Sequence, residues 1–317
     1  MTSNCLFEDA WWLDLTAPGS WAAAEVPGAD GLPAARWPYM VTTVAGMTAV
    51  CMPELTQTLG PWLTSPSGKP SNALGAEHRA LDSLLDQLPE HDFFLQSFHH
   101  SRWNWLPMHW RGFKATARVT YVFDEVPQPD QIWSGMVQRL RTSIRKAESA
   151  LRVRTGTVEE FLRLHLTTFE RQSMELPWSV ATVRDVVTGA VAQGHGRVLV
   201  AEDEEGIART ASVAVWDSRT MYSVLAGSDD VGRQRRGMPL VIWQSVRLAA
   251  ELGIAYDFEG TMLPQVEWLP RALGASQRPY LQLWRSNGGI EAHALPGELP
   301  PETFLRLRSA ETNRVTS

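Results

Sequence analysis

The residues best suited to chemistry lie between Thr220 and Gly253. A strand-like run, Tyr222–Ala226, passes through an acidic, glycine-bearing turn into the basic loop Arg233–Gln234–Arg235–Arg236–Gly237. A long amphipathic helix follows, with Leu240, Val241, Trp243, Val246, Leu248, Ala249 and Leu252 at the three-to-four spacing of a buried face. The first turn of such a helix leaves backbone N–H groups unpaired, and its dipole favours negative charge there. A phosphate or pyrophosphate is therefore expected against Arg236, Gly237 and Met238. Further on, Asp257 and Glu259 alternate with Tyr256 and Phe258, so strand geometry puts both carboxylates on one face. Either can accept or hold the proton of a substrate amine. Alternatively, one of them caps the next helix or pairs with Arg271.

A second basic feature is Arg139–Arg154, with six cations and a single acid, Glu148. Read as a helix, it places Arg141, Arg145, Glu148 and Arg152 on one face. That face is either simply solvated or fitted to a phosphate-bearing ligand, a nucleic-acid end included. The net charge of −6 argues against nonspecific coating of nucleic acid. His99, His100 and His109 cluster in sequence but lack helical HxxxH spacing, so no metal is expected. No Gly-x-Ser-x-Gly elbow is present either.

The elements that must position these residues divide into two halves. In the first, Val41–Val44 and Thr48–Met52 read as a hairpin around Ala45–Gly46, followed by a helix at Leu74–Leu88 and strands at Phe93–Phe98 and Ala117–Phe123. The proline-bearing stretch Val126–Pro129 reads as an interdomain connection, giving domains at 1–126 and 127–317. In the second half, one helix is expected over Gln131–Leu151, another over Val158–Gln172 with Thr157 as N-cap, and a third over Ala181–Gln193. A strand meander follows at Arg197–Glu202, Thr210–Trp216 and Met221–Ala226, with Asp203–Gly206 as a solvated turn. After the helix Met238–Leu252 come a strand Ile254–Phe258, a short helix near Val266–Leu273 and a strand Tyr280–Arg285. This order implies an α/β fold of α+β character, built on a mixed sheet. A lone Gly237 is too little for a dinucleotide-binding fingerprint.

At 317 residues the chain can bury ample core, and its 44% hydrophobic content is that of a soluble globular protein. No apolar run is long enough for a membrane span, the N-terminus does not read as a signal peptide, and two cysteines suit a reducing compartment. A cytoplasmic location is the expectation.

The element order resembles the GNAT acyltransferase superfamily. Its pyrophosphate loop, Gln/Arg-x-x-Gly-x-Gly/Ala, is matched at Gln234 and Gly237, with Pro239 in the third position. More of the chain, roughly 35 to 290, resembles the Fem-like branch, in which two such domains sit in tandem. The carriers are Pro53–Leu55 with Thr56–Trp62, Phe98–His99, Asn104–Pro107 and Trp110–Phe113. Arg141 through Ala147, Asp257–Gly260 and Leu273–Gly274 complete the set. The resemblance implies two GNAT-like subdomains, each a mainly antiparallel mixed sheet flanked by helices. The first would be the acceptor side, and the second would carry the donor loop.

The activity so implied is amide-forming N-acyl transfer to a small-molecule or peptide amine. The donor would be an acyl-CoA, an acyl-carrier protein or an aminoacyl-tRNA, a co-substrate rather than a tightly bound cofactor. Fem-type enzymes use aminoacyl-tRNA and a peptidoglycan precursor. Where they often carry a lysine-rich turn, this chain has Leu269–Gly274 with Arg271 as its only cation. The resemblance places the donor carbonyl near Leu225, Ala226 and Gly227, and its phosphates on Gln234, Arg236 and Gly237. Tyr280 is a candidate to protonate a leaving thiolate, or else a core residue. Gln57, Asn104 and Trp105 are candidates for the acceptor cleft, with Arg145, Lys146 and Arg271 as further substrate contacts. A noncatalytic ligand-binding protein of the same fold is the rival reading.

Overall fold

A computed structural model of the chain describes residues 2–28, 31–64, 68–125, 128–260 and 262–315. Val126 and Pro127 of the expected connection lie outside these residues. Two compact units form, residues 1–118 with 279–317, and residues 119–278. The boundary expected at 126/127 thus differs from the contact division at both ends of the second unit. The reason is the last strand, whose residues from Gln282 on pair with the strand Phe93–Ser97 of the first unit.

The first unit opens with α1 (Ala10–Thr16), β1 (Trp21–Pro27), β2 (Pro33–Val44), β3 (Met47–Cys51) and β4 (Trp62–Leu63). Next come α2 (Pro70–Leu85), β5 (Phe93–Ser97) and α3 (Leu106–Trp110). The expected hairpin is present: β2 and β3 pair antiparallel around Ala45 and Gly46, at φ 50° and 78°. Two consecutive left-handed residues are what a two-residue turn needs to match strand twist. β3 and β5 run parallel, as their connection through α2 requires. The core gathers on Trp37, whose ring meets Phe94 and Phe98 edge-on at 6.0 and 5.6 Å.

β6 (Lys114–Phe123) leads into the second unit, which continues with α4 (Pro129–Gly135), α5 (Gln138–Glu148), β7 (Arg152–Thr155), α6 (Val158–Gln172) and α7 (Val180–Ala192). β8 (Gly196–Glu202), β9 (Ala208–Trp216), β10 (Thr220–Ser228), α8 (Asp230–Gln234), α9 (Gly237–Leu252), β11 (Ala255–Asp257) and α10 (Pro264–Leu273) follow. β12 (Ser276–Ser286) returns the chain to the first unit, where α11 (Pro300–Val315) ends it.

The second unit's strands lie in the order β6-β11-β10-β9-β8-β7, all antiparallel except β10 beside β11. Thr157 caps α6 as expected, and Glu160 returns the bond in a capping box. The single helix expected over Gln131–Leu151 is instead two, because the backbone is extended at Met136 and Val137. Arg152 therefore stands on β7 and cannot share a helical face with Arg141 and Arg145. Arg141 is spent on structure: its guanidinium donates to the carbonyls of Trp133, Ser134 and Met136 at 2.8–3.1 Å, closing the C-terminus of α4.

Two glycines show how tightly the helices are laid on this sheet. A Cβ on Gly227 would overlap the backbone of Leu164 and His165 in α6. A Cβ on Gly237 would overlap the side chain of Thr210. Gly227 pairs with Ala211 and neighbouring Ser228 with Thr210, so α6 and α9 cover opposite faces. Among the described residues no helix is long and apolar enough to cross a membrane.

Candidate functional site

β10 and β11 separate within the second unit. They pair only at Thr220–Tyr222 against Ala255–Asp257, while β10 runs on to Ser228. β11 stops because the chain leaves the sheet at Glu259, which is left-handed at φ 64°. On its other edge β10 stays paired with β9, with a register shift between Ser223 and Leu225 that leaves Val224 as a bulge. Among the described residues the strand therefore presents a backbone edge without a neighbouring strand just before the basic loop.

Part of that edge is taken by α6. His165 Nδ1 bonds the carbonyl of Ala226 at 2.9 Å, and Thr168 Oγ1 accepts the N–H of Ser228 at 2.9 Å. Arg171 donates to the carbonyl of Ser228 at 2.8 Å. Since alternate residues point their polar groups to the same edge, Ala226 faces outward like Ser228, whereas Leu225 and Gly227 face β9. Of Leu225, Ala226 and Gly227, beside which the donor carbonyl is expected, Ala226 alone turns its N–H to the open edge.

His165 carries little signal in the sequence. It sits in the apolar stripe of α6 between Phe161 and Phe169, with ring centroids 5.2 and 5.0 Å away, and a lone polar residue on such a face was the available signal. Because Nδ1 donates to a carbonyl, Nε2 carries the lone pair, and it is buried with no partner among the described residues. Burial lowers the pKa of this imidazole, so it is neutral.

The two carboxylates prove to be in contact through the backbone. Asp257 Oδ1 accepts from Thr120 Oγ1 at 2.5 Å and from the N–H of Glu259 at 2.8 Å. Burial pushes Asp257 up to about 6, although both hydrogen bonds oppose the shift. Glu259 is raised well above the usual carboxylate range, by burial first and by the charge of Asp257 second. Its Oε1 is buried without a hydrogen-bond partner among the described residues. Arg271 does not compensate either group, because it pairs with Glu267 at 2.8 Å.

The loop has its own scaffold. Asp229 caps α8 through the N–H of Gly232 at 2.7 Å and holds Arg209, which also grips Asp203 at 2.6 Å. Asp203 is thus a fastening of the loop rather than part of a solvated turn. Gln234 and Arg236 are exposed, Gly237 is buried, and Met238 packs partly into the core. Arg236 is left-handed at φ 60° and precedes α9 without a capping side chain, so the first N–H groups of a 16-residue helix are uncapped. Pro239 occupies the third helical position, where a missing N–H breaks no intrahelical bond. Arg235 Nη1 reaches the carbonyl of Ala150 at 3.4 Å, tying the loop to the end of α5, whose last turn carries Arg145 and Lys146. Arg145 lies over the ring of Trp133 at 5.4 Å, and Lys146 is exposed.

The remaining candidates lie in the first unit. Gln57 is half-buried in an irregular stretch before β4. Asn104 precedes α3, with its Nδ2 buried and unpartnered, and Trp105 packs on His109 at 5.1 Å. Tyr280 is buried within β12. Among the described residues no group of three or more metal-ligating side chains occurs.

Residues 134–263 match a family model described as an acetyltransferase (GNAT) domain. No curated protein matches the sequence. Among solved structures, that of FemX is similar with a TM-score of 0.65 at 13% identity, covering 87% of this chain and 91% of that one. L-PGS from Bacillus licheniformis gives 0.54 at 12% identity, over 94% and 91% of the two chains. A tandem GNAT protein from the clavulanic acid biosynthesis pathway gives 0.52 at 10% identity, over 91% and 90%. At these identities the likeness establishes the fold, that of the Fem-like tandem GNAT proteins.

Proposed function

We propose that this chain, which carries a GNAT domain within a Fem-like tandem GNAT fold, is an N-acyltransferase acting on an amine acceptor. The acyl group arrives on a phosphate-bearing carrier. The observation that carries this reading is the open edge of β10 beyond Tyr222, which leads into the uncapped N-terminus of α9. An extended acyl carrier pairs with such an edge, and its phosphates meet Gly237, Met238 and the charge of Arg236.

Attack by an amine needs a neutral nucleophile and an acceptor for its proton. Asp257, held at about 6, is ionised at neutral pH yet basic enough to take that proton. Glu259, raised well above the usual carboxylate range by burial and by the charge of Asp257, is not the base in this reading. As the amine nitrogen bonds to the acyl carbon, charge collects on the carbonyl oxygen, and the outward N–H of Ala226 stabilises it. The C–S or C–O bond to the carrier then breaks, and the leaving group takes the proton that Asp257 removed from the amine. His165 holds the carbonyl of Ala226 on the same edge, which fixes the local backbone.

The choice among coenzyme A, a carrier protein and a tRNA 3′ end turns on charge. The tie from Arg235 to Ala150 joins the loop to Arg145 and Lys146, and this favours a carrier with more phosphates than a single pyrophosphate. Supplying acyl-CoA, acylated carrier protein and a charged tRNA pool in turn, each with a mixture of amines, tests the reading by mass spectrometry. One donor is expected to yield an amide and free carrier. Binding without product from every donor would instead make the chain a noncatalytic member of the fold.

A further inference from the structure

We propose that a cleft in the first unit, distant in sequence from the donor loop, binds a small organic anion through a carboxylate or phosphate group at Arg285. The cleft has a volume of about 550 Å³ and is lined by Arg285, Arg111, His91, Leu85, Leu88 and Phe113, among others. Arg285 comes from β12, Arg111 from the end of α3, and His91 from the turn before β5, so three separate segments converge.

Among the described residues Arg285 is a partly buried cation without a counter-charge. Its guanidinium lies over the ring of Phe113 at 4.5 Å, and its Nε is shut away from water with no partner. Nη2 donates to His91 Nε2 at 2.8 Å. His91 Nδ1 donates to the carbonyl of Pro89 at 2.7 Å, so Nε2 bears the lone pair and the ring is neutral. The imidazole accepts a hydrogen bond but cancels no charge. Among the described residues no carboxylate pairs with Arg285.

The neighbouring cation is different. Arg111 is matched twice, by Asp82 at 3.0 Å and by Asp86 at 2.5 Å. Two acids at the cleft leave Arg285 alone: Asp92 accepts the N–H of Thr48 at 2.8 Å, and Glu90 is exposed. A desolvated guanidinium is costly to leave unpaired, and an arriving anion offsets that cost with charge-assisted bonds. The apolar wall of Leu85, Leu88 and Phe113 suits a hydrocarbon or aromatic body on the anion rather than a bare ion.

Titration calorimetry with hexanoate and with phenyl phosphate, at matched ionic strength in sodium chloride, tests this on the full chain. Saturable binding of either is expected for the wild type, and the tighter of the two identifies the headgroup. Arg285→Gln removes the charge, while Leu88→Trp fills the cleft and leaves the guanidinium and its contacts in place. Affinity should fall at least tenfold in both. If Arg285→Gln does not fold, Leu88→Trp decides alone. Absence of saturable binding to the wild type, or unchanged binding to Leu88→Trp, overturns the proposal. The acyl-transfer reading rests on the other unit and stands or falls separately.

Discussion

Thr120 Oγ1 donates to Asp257 Oδ1 at 2.5 Å, and the same oxygen accepts the N–H of Glu259 at 2.8 Å. One carboxylate oxygen therefore holds the turn at the end of β11. The other has no hydrogen-bond partner among the described residues, which leaves it available to a substrate proton.

Asp257→Asn should slow transfer by about 100-fold, the scale of losing a general base. It should also stabilise the protein at pH 8. The native carboxyl binds its proton more tightly than the unfolded one, at about 6 against 3.8. That contribution favours folding below the unfolded value and is lost as pH rises through about 6. An amide avoids the buried charge while still accepting from Thr120. The gain is on the order of 2–3 kcal/mol at pH 8, at ~1.4 kcal/mol per pKa unit, and shrinks towards pH 4. Urea denaturation at the two pH values checks it, and a variant less stable at pH 8 contradicts it.

Thr120→Val removes a hydrogen bond that holds the Asp257 pKa down. The acidic limb of the pH–rate profile, expected near 6 in the wild type, should move to higher pH. An unmoved limb would show that another group controls it.

Gly237→Ala should destabilise the protein by about 1–3 kcal/mol, because the new methyl meets Thr210 with no room to spare. Thermal unfolding reads this, and Gly232, which packs on the same side chain, should behave alike. Substitutions at Gly237 therefore test packing, and charge at the loop must be tested elsewhere.

Lys146→Glu separates the donors. Lys146 is exposed in the last turn of α5, the helix whose end the loop reaches through Arg235 and Ala150. Reversal of its charge should weaken a tRNA donor several-fold and flatten the salt dependence of its binding, while leaving a small thioester unaffected. Equal loss with both donors would argue against a separate tRNA surface.

Much of this was legible in local chemistry. Thr157 with Glu160, Ala45 with Gly46, and the run from Tyr222 through Gly237 into an amphipathic helix each carry their own signal. What was hidden depends on tertiary partners. The break before α5 is stabilised by Arg141 reaching back to three carbonyls, and no periodicity announces it. β1 is an alanine-rich strand whose register comes only from β2, and α11 lies beyond the last expected element. Asp257 and Glu259 were visible as a pair, but their unequal acidity follows from burial and from the left-handed turn at Glu259. His165 gained meaning only once α6 was seen to lie on Ala226.

The most direct test is equilibrium binding of acetyl-CoA, a longer acyl-CoA and a charged tRNA pool to the wild type and to Arg236→Gly. Arg236 is exposed and left-handed, so glycine keeps the backbone, relieves strain of about 1 kcal/mol and removes the charged side chain. At least one donor should bind the wild type, and should bind the variant at least fivefold more weakly although the variant is no less stable. Failure of every donor to bind the wild type, or equal affinity for both proteins, would contradict the placement of the phosphate at the head of α9.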